Sequence, residues 1–135
     1  DTVVAGHSLF AGTWITLDSL RRIEPAWLSR NTTLAGHLCK GTGFKGYSTR
    51  FREDGMLRLC FLAVDTVIDG VPCIHGSFWT EIRGGRKSVL YVYPDGSLAG
   101  CQASRAFSVS GVQYQRWDRI ARDLQGVLQR VERAR

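Results

Sequence analysis

Four side-chain types in this chain could do chemistry: cysteine, histidine, aspartate, and aromatic residues interleaved with arginine. Each must be weighed by its spacing. His7 and His37 each follow a glycine in similar hexapeptides, Asp1–Gly6 and Asn31–Gly36. Two imidazoles in register could share a metal ion, but no carboxylate or third histidine shares that register, and His75 is offset. No metal site and no cofactor is therefore expected. The motifs of hydrolases, phosphate-cradling loops and zinc proteases are missing as well. Asp1, Asp54, Asp65, Asp69 and Asp95 stand at turns or motif starts, where bonding to the local backbone accounts for an aspartate without catalysis. Asn31-Thr32-Thr33 fits a glycosylation acceptor, but the same hexapeptide already explains it. No catalytic residue is assigned.

Recognition is the remaining chemistry. Trp14, Phe44, Tyr47, Trp79, Tyr91 and Tyr93, with Arg52, Arg83 and Arg86 nearby in sequence, could form a platform that stacks on sugars or bases. The same aromatics would serve equally well as core. The charge of +6 arises from 15 Arg and 3 Lys against 12 acids, and six of those arginines lie between Arg116 and Arg135. Such a balance permits contact with anionic lipid or nucleic acid, while a solvated basic face is the plainer reading, and nucleic acid is not the expected partner.

What positions these residues is a repeat. Asp65-Thr66-Val67-Ile68-Asp69-Gly70 recurs as Asn31–Gly36, Asp1–Gly6 and, in worn form, Ala106–Gly111, so the motif glycines lie 30, 34 and 41 residues apart. A second element, Asp54-Gly55-Met56-Leu57, matches Asp95-Gly96-Ser97-Leu98, and Leu17–Leu20 is a degenerate copy. Asp-Gly between apolar runs predicts a hairpin. Each unit then reads as a Thr-rich strand kinked at its glycine, a second strand, a turn and a return strand. Strands are expected near 2–10 and 13–17, then 32–39, 47–51 and 57–63. Further strands fall near 66–74, 77–83, 88–93 and 97–103, with 107–114 closing the series. The fold class is mainly β: an antiparallel hairpin-repeat meander over residues 1–114, followed over 115–135 by an amphipathic α-helix packed on it. The helix rests on Trp117, Ile120, Ala121, Leu124, Val127, Leu128 and Val131, which recur at i, i+3, i+4 and i+7. It would cap the sheet or pair with a second subunit, giving a homo-oligomer.

The cysteines occupy only two positions of this repeat. Cys39 and Cys73 stand three residues after the motif glycine, and Cys60 and Cys101 stand five after the glycine of the turn. In the first unit both positions are aliphatic, Leu9 and Ile23. Joint replacement is what a covalent pair requires, because half of a disulfide is a free thiol. The expected bridges are Cys39–Cys60 and Cys73–Cys101, with four stacked buried thiols as the alternative. Bridges place the protein in an oxidising compartment, secreted or periplasmic. No apolar run is long enough for a membrane-spanning helix. The chain begins at Asp1, inside a repeat copy, so either a leader has been removed or the chain has been trimmed.

The string from Asp54-Gly55-Met56-Leu57 through Leu62-Ala63-Val64-Asp65-Thr66-Val67-Ile68-Asp69-Gly70-Val71-Pro72-Cys73 resembles β-hairpin repeat proteins of the MORN-variant kind. It looks closer still to exported bacterial proteins carrying the same spacing. The resemblance spans residues 1–114 and implies a fold style and export; no catalytic residue comes with it. The expected function is an exported binding or structural module with a protein or glycan partner. The alternatives are an enzyme acting on the cell envelope and a basic surface for anionic lipid or nucleic acid.

Overall fold

The computed structural model describes residues 2–4, 7–9, 14–17, 23–41, 49–52, 55–76 and 88–132. Sixteen short strands occur in these segments, and they fall into four units of two hairpins each. The small hairpins are β1–β2 (Thr2–Val4, His7–Leu9), β5–β6 (Thr32–Leu34, His37–Cys39), β9–β10 (Thr66–Ile68, Val71–Cys73) and β13–β14 (Phe107–Val109, Val112–Tyr114). The main hairpins are β3–β4 (Trp14–Leu17, Ile23–Trp27), β7–β8 (Thr49–Phe51, Leu57–Cys60), β11–β12 (Leu90–Val92, Leu98–Gln102) and β15–β16 (Arg119–Arg122, Leu128–Glu132). The main hairpins join edge to edge in one eight-stranded antiparallel sheet that runs from β3 to β16 in chain order. A small hairpin is inserted between each main hairpin and the next.

The repeat motif therefore builds a hairpin, and its glycine is a turn rather than the expected kink. Ala35 and Gly36 have φ of 52° and 82°, Asp69 and Gly70 50° and 81°, and Ser110 and Gly111 52° and 79°. Positive φ at both central residues defines a type I′ turn, whose twist matches that of the strands it joins. A run such as Thr66–Cys73 consequently folds back on itself, with Thr66 opposite Cys73 and Ile68 opposite Val71.

The main turns use a different geometry. Gly55 donates to the Arg52 carbonyl at 2.9 Å and Arg52 to the Met56 carbonyl at 2.7 Å. Gly96 with Tyr93 and Ser97 repeats the pattern, and so does Gly126 with Asp123 and Val127. The three glycines have φ of 85°, 87° and 89°, the left-handed residue that closes a three-residue loop with a bulge.

That third turn corrects the expected C-terminal helix. Among the described residues 115–132 form no helix; Arg119–Arg122 and Leu128–Glu132 pair antiparallel and complete the fourth unit. The physical reason lies at Asp123 and Gly126. Asp123 Oδ1 accepts the N–H groups of Gln125 and Val127 at 2.9 Å each, which fixes the turn, and Gly126 takes a φ that no helix interior has. The sheet edge at β12 supplies Ile120 and Ala121 with strand partners, Cys101 and Gly100. Tertiary pairing thus overrides a helical spacing of apolar residues. Strand β4, opposite β3, was not expected either, and the strand expected near 77–83 lies outside the described residues.

The core lies between the sheet and the small hairpins. Leu57, Cys60, Leu90, Val92, Leu98, Cys101 and Ile120 come from the sheet, while Leu34, Cys39, Ile68, Val71, Cys73 and Tyr114 come from the hairpins. Cystines tie the two layers together. Cys39 bonds Cys60 and Cys73 bonds Cys101, with Cα separations of 5.8 and 5.6 Å, and no described cysteine is free. Backbone bonds reinforce each seam, from Lys40 to Phe61 and Ala63 to Leu38, and from Ile74 to Gln102 and Ser104 to Pro72.

Two outcomes check this architecture. Unreduced protein will have a mass four hydrogens below the reduced form, and replacing either Cys pair with Ala will cost roughly 3–4 kcal/mol in denaturant unfolding, as closure of loops of 21 and 28 residues implies. Gly126→Ala will destabilise the protein by about 1 kcal/mol because Ala must adopt positive φ; in a helix the same change would stabilise by about that much.

Candidate binding surface

The polar residues of the motif close the base of the small hairpins. Asp65 Oδ1 accepts the His75 backbone N–H at 2.9 Å and the ring Nδ1–H at 2.6 Å. One unit earlier, Asn31 Oδ1 accepts the N–H of Gly41, again ten residues on, at 3.1 Å. Gly41 is required there, because a Cβ would come 2.4 Å from the Arg30 carbonyl oxygen. The motif threonines also act alike: Thr32 donates to Arg30 O at 2.8 Å and Thr66 to Val64 O at 2.9 Å. Asp or Asn followed by Thr thus supplies side-chain partners to backbone groups that the short strands leave over.

Other carboxylates and imidazoles are similarly engaged. Asp95 accepts the Ser97 N–H and hydroxyl, at 2.9 and 2.6 Å. Asp69 Oδ2 accepts the Leu98 N–H at 2.7 Å. His37 Nε2 lies 2.7 Å from the Gly96 carbonyl oxygen, so that nitrogen carries the proton, and the contact joins the second unit to the third. His7 lies in β2 at the register position of His37 in β6. Among the described residues no three His, Cys, Asp or Glu side chains are grouped to hold a metal ion.

Electrostatics follow these bonds. Burial raises the Asp65 carboxyl, but the hydrogen bonds from His75 and the charges of His75 and Arg116 outweigh it, leaving its pKa below the ordinary 3.8. The Ser97 hydroxyl and N–H hold Asp95 below its ordinary value too, against a small opposing effect of burial.

The register of the sheet places two of the described residue types suited to recognition, Tyr91 and Arg50, in one row. Pairing places Arg50, Leu59, Tyr91, Gly100, Ala121 and Gln129 in one row across β7, β8, β11, β12, β15 and β16. Side chains alternate along strands, and the neighbours Leu90, Cys60 and Ile120 lie in the core, so this row faces away from it. Tyr91 sits half-buried at its centre, opposite Gly100, whose Cβ would press the Ile120 carbonyl oxygen at 3.0 Å. Arg50 is half-exposed two strands away, about 10 Å across the sheet.

The aromatic residues singled out in the sequence do not all share this row. Tyr93 hands its hydroxyl to the Arg122 carbonyl at 2.5 Å, a structural bond between the third and fourth units. Trp14 lies in β3, at the far edge of the sheet opposite Trp27. Phe44, Tyr47, Trp79, Arg83 and Arg86 lie outside the described residues. Arg52, like Tyr93, is structural and donates from Nη2 to the Val92 carbonyl at 2.7 Å. Arg52 and Tyr93 hold the same position, the entry to a main turn, and each reaches the carbonyl just before the next unit's turn.

Sequence reasoning missed a further cluster. The fourth unit has no cystine; instead the Arg130 guanidinium lies 5.2 Å from the Tyr114 ring centroid, and its Nε donates to the buried Asp118 carboxylate at 2.9 Å. Phe107 stacks on Tyr114 with centroids 5.0 Å apart, and Asp118 also accepts the Gln115 N–H at 2.8 Å. The available signal was Gly-x-Leu: Leu57, Leu98 and Leu128 each stand two residues after a turn glycine, and that spacing marks the fourth main hairpin.

Comparison of the chain with protein-family models, with curated proteins and with solved structures finds no match.

Asp65 offers a test with a defined sign. Its lowered pKa means its contribution is full above about pH 4, where the unfolded carboxyl is ionised, and is lost as pH falls through the folded value. Asp65→Ala will cost on the order of 1 kcal/mol at pH 7, through the unsatisfied His75 N–H, and progressively less as pH falls through the folded value. Asp65→Asn, which copies Asn31, will retain most of the stability at pH 7.

Proposed function

We propose that this chain is a disulfide-braced β-repeat module of an oxidising compartment, secreted or periplasmic, that binds a protein or glycan partner through the outer face of its sheet. One observation carries the reading. The carboxylates of Asp65, Asp69, Asp95, Asp118 and Asp123 and the imidazoles of His37 and His75 are spent on turns, seams and contacts between units, whereas Tyr91 stands half-buried in the outer row with Arg50 and Leu59. A phenol flanked by a guanidinium and an apolar side chain is suited to stacking on a sugar ring or an apolar side chain of a partner.

The two cystines support the compartment, since thiols are kept reduced in most cytosols. No helix among the described residues is long and apolar enough to cross a membrane. Export and a relation to hairpin-repeat proteins of the MORN-variant kind remain parts of this proposal and rest on the resemblance of residues 54–73.

Titrating the isotope-labelled chain with a soluble cell-wall glycan digest will test it. Shifts are expected at the amides of Arg50, Leu59 and Tyr91, and Tyr91→Ala is expected to weaken binding about tenfold without altering stability by more than ~1 kcal/mol. Shifts confined to the small hairpins would remove the outer face from consideration.

A further inference from the structure

The third and fourth units carry different residues at two neighbouring positions of the repeat. Six residues after the main-turn glycine stand Phe61 and Gln102, and six after the motif glycine stand Gly76 and Trp117. The backbone is used alike: Gly76 donates its N–H to the Leu62 carbonyl at 3.0 Å, and Trp117 to the Ala103 carbonyl at 2.9 Å. In the third unit the two positions pack closely, since Phe61 is 3% exposed and a Cβ on Gly76 would lie 2.6 Å from the Phe61 Cβ. In the fourth the aromatic has changed sides. Trp117 is half-buried, and Gln102 takes the covered place.

Both replacements work against stability. Trp117 has a φ of 78°, a left-handed backbone that a bulky side chain rarely adopts. Gln102 Nε2 donates to the Trp117 carbonyl at 2.9 Å, but its Oε1 is buried without a hydrogen-bond partner among the described residues. Strain of this kind gathers where a ligand is held, because packing alone selects against it.

Two polar side chains share this seam with the indole. Arg116 is exposed, and its guanidinium lies 4.6 Å from the Trp117 ring centroid, which holds its planar fork of donors ready for two oxygens at once. His75 stands one unit earlier at the same register position, five residues after the motif glycine, about 10 Å or two strand spacings away. Its Nδ1–H is bonded to Asp65, so the ring is fixed with Nε2 turned away from that carboxylate, and its side chain is 40% exposed. The backbones of both segments flank the same residues: Ile74 donates to the Gln102 carbonyl and Trp117 to that of Ala103. The charge of Arg116 also acts on the Asp65 carboxylate.

We propose that Arg116, Trp117 and His75 form a binding site, separate from the outer row of the sheet, for a sugar ring bearing one oxyanion group, carboxylate or phosphate. The oxyanion takes the Arg116 fork through two parallel bonds. A ring hydroxyl donates to His75 Nε2, the acceptor nitrogen of a neutral imidazole whose Nδ1 carries the proton. Trp117 holds the guanidinium in plane and offers its edge to the C–H groups of the sugar. Asp65 is a positioning residue: it orients His75, and its own charge repels a second anionic group placed there, which favours a single oxyanion among hydroxyls over a dense polyanion.

Titrating the whole isotope-labelled chain with glucuronic acid, a hexose monophosphate, glucose and inorganic phosphate, each to about 50 mM, tests the proposal in the range where a small open site binds. Shifts are expected at the Arg116 and Trp117 side chains and the His75 ring with the acidic sugars, and the tighter of the two identifies the oxyanion. Arg116→Gln and Arg116→Lys, at an exposed position, are each expected to weaken binding about tenfold, since lysine keeps the charge without the fork. Trp117→Gly, which copies Gly76, is expected to weaken binding while the Tm holds or rises, because glycine accepts the positive φ. Tyr91→Ala is expected to leave this binding unchanged, which separates the site from the outer row. No binding of either acidic sugar overturns the proposal, as does binding that Arg116→Gln leaves intact. Glucose or inorganic phosphate binding as tightly as the acidic sugars overturns it too, and so does a Tm lowered by Trp117→Gly, which would return Trp117 to a packing role.

Discussion

The connection between the two layers is the constraint on which the rest depends. Each small hairpin has strands of three residues, and an isolated two-stranded hairpin is at best marginally stable in water. It persists only if fastened to the sheet beneath it. In the second and third units the fastening is covalent, Cys39 to Cys60 and Cys73 to Cys101. In the fourth, Arg130 reaches over the Tyr114 ring to the buried Asp118 carboxylate. Both solutions join a residue at the end of the small hairpin's second strand to one on the return strand of the main hairpin. The cystines keep their constraint in the unfolded chain, whereas the ion pair must offset the desolvation of two charges through geometry and additional hydrogen bonds.

Short strands also decide how the polar residues are used. Strands of three to five residues leave many backbone groups at their ends, and those groups need partners. Asp65, Asn31, Asp69, Asp95 and Asp123 supply acceptors, and Thr32 and Thr66 supply hydroxyls. A repeat built this way uses the five described carboxylates, Asp65, Asp69, Asp95, Asp118 and Asp123, in construction. Among the described residues it leaves Arg50, Leu59, Tyr91 and Gln129 of the outer row at least partly toward solvent.

Much of the fold was legible in the residues, and the reasons are local. The Asp-Gly turns announce the main hairpins, the motif glycines mark the repeat although each closes a turn where a kink is expected, and the register the two motifs set allows the cysteines to be paired from the joint replacement by Leu9 and Ile23. The candidate surface was less legible. Tyr91 and Tyr93 are two residues apart in sequence, yet Tyr91 lies in the outer row and Tyr93 is bonded to Arg122, a carbonyl 29 residues away. A bulge between Tyr91 and Val92 also disturbs the simple alternation from which faces are read.

Local sequence thus determined the hairpins, the phase of the repeat and the cystine pairs, because turn glycines and thiol pairs impose requirements that few residue types meet. Tertiary structure alone decided the state of residues 115–132. Their apolar spacing satisfies a helix, but the open edge of β12 offers Ile120 and Ala121 strand partners, and Asp123 and Gly126 fix the turn that brings Leu128–Glu132 back alongside. It alone also decided which aromatic faces outward, since that depends on the neighbouring unit. A strand's faces are fixed by its own alternation, but what covers them is set by the chain that packs alongside.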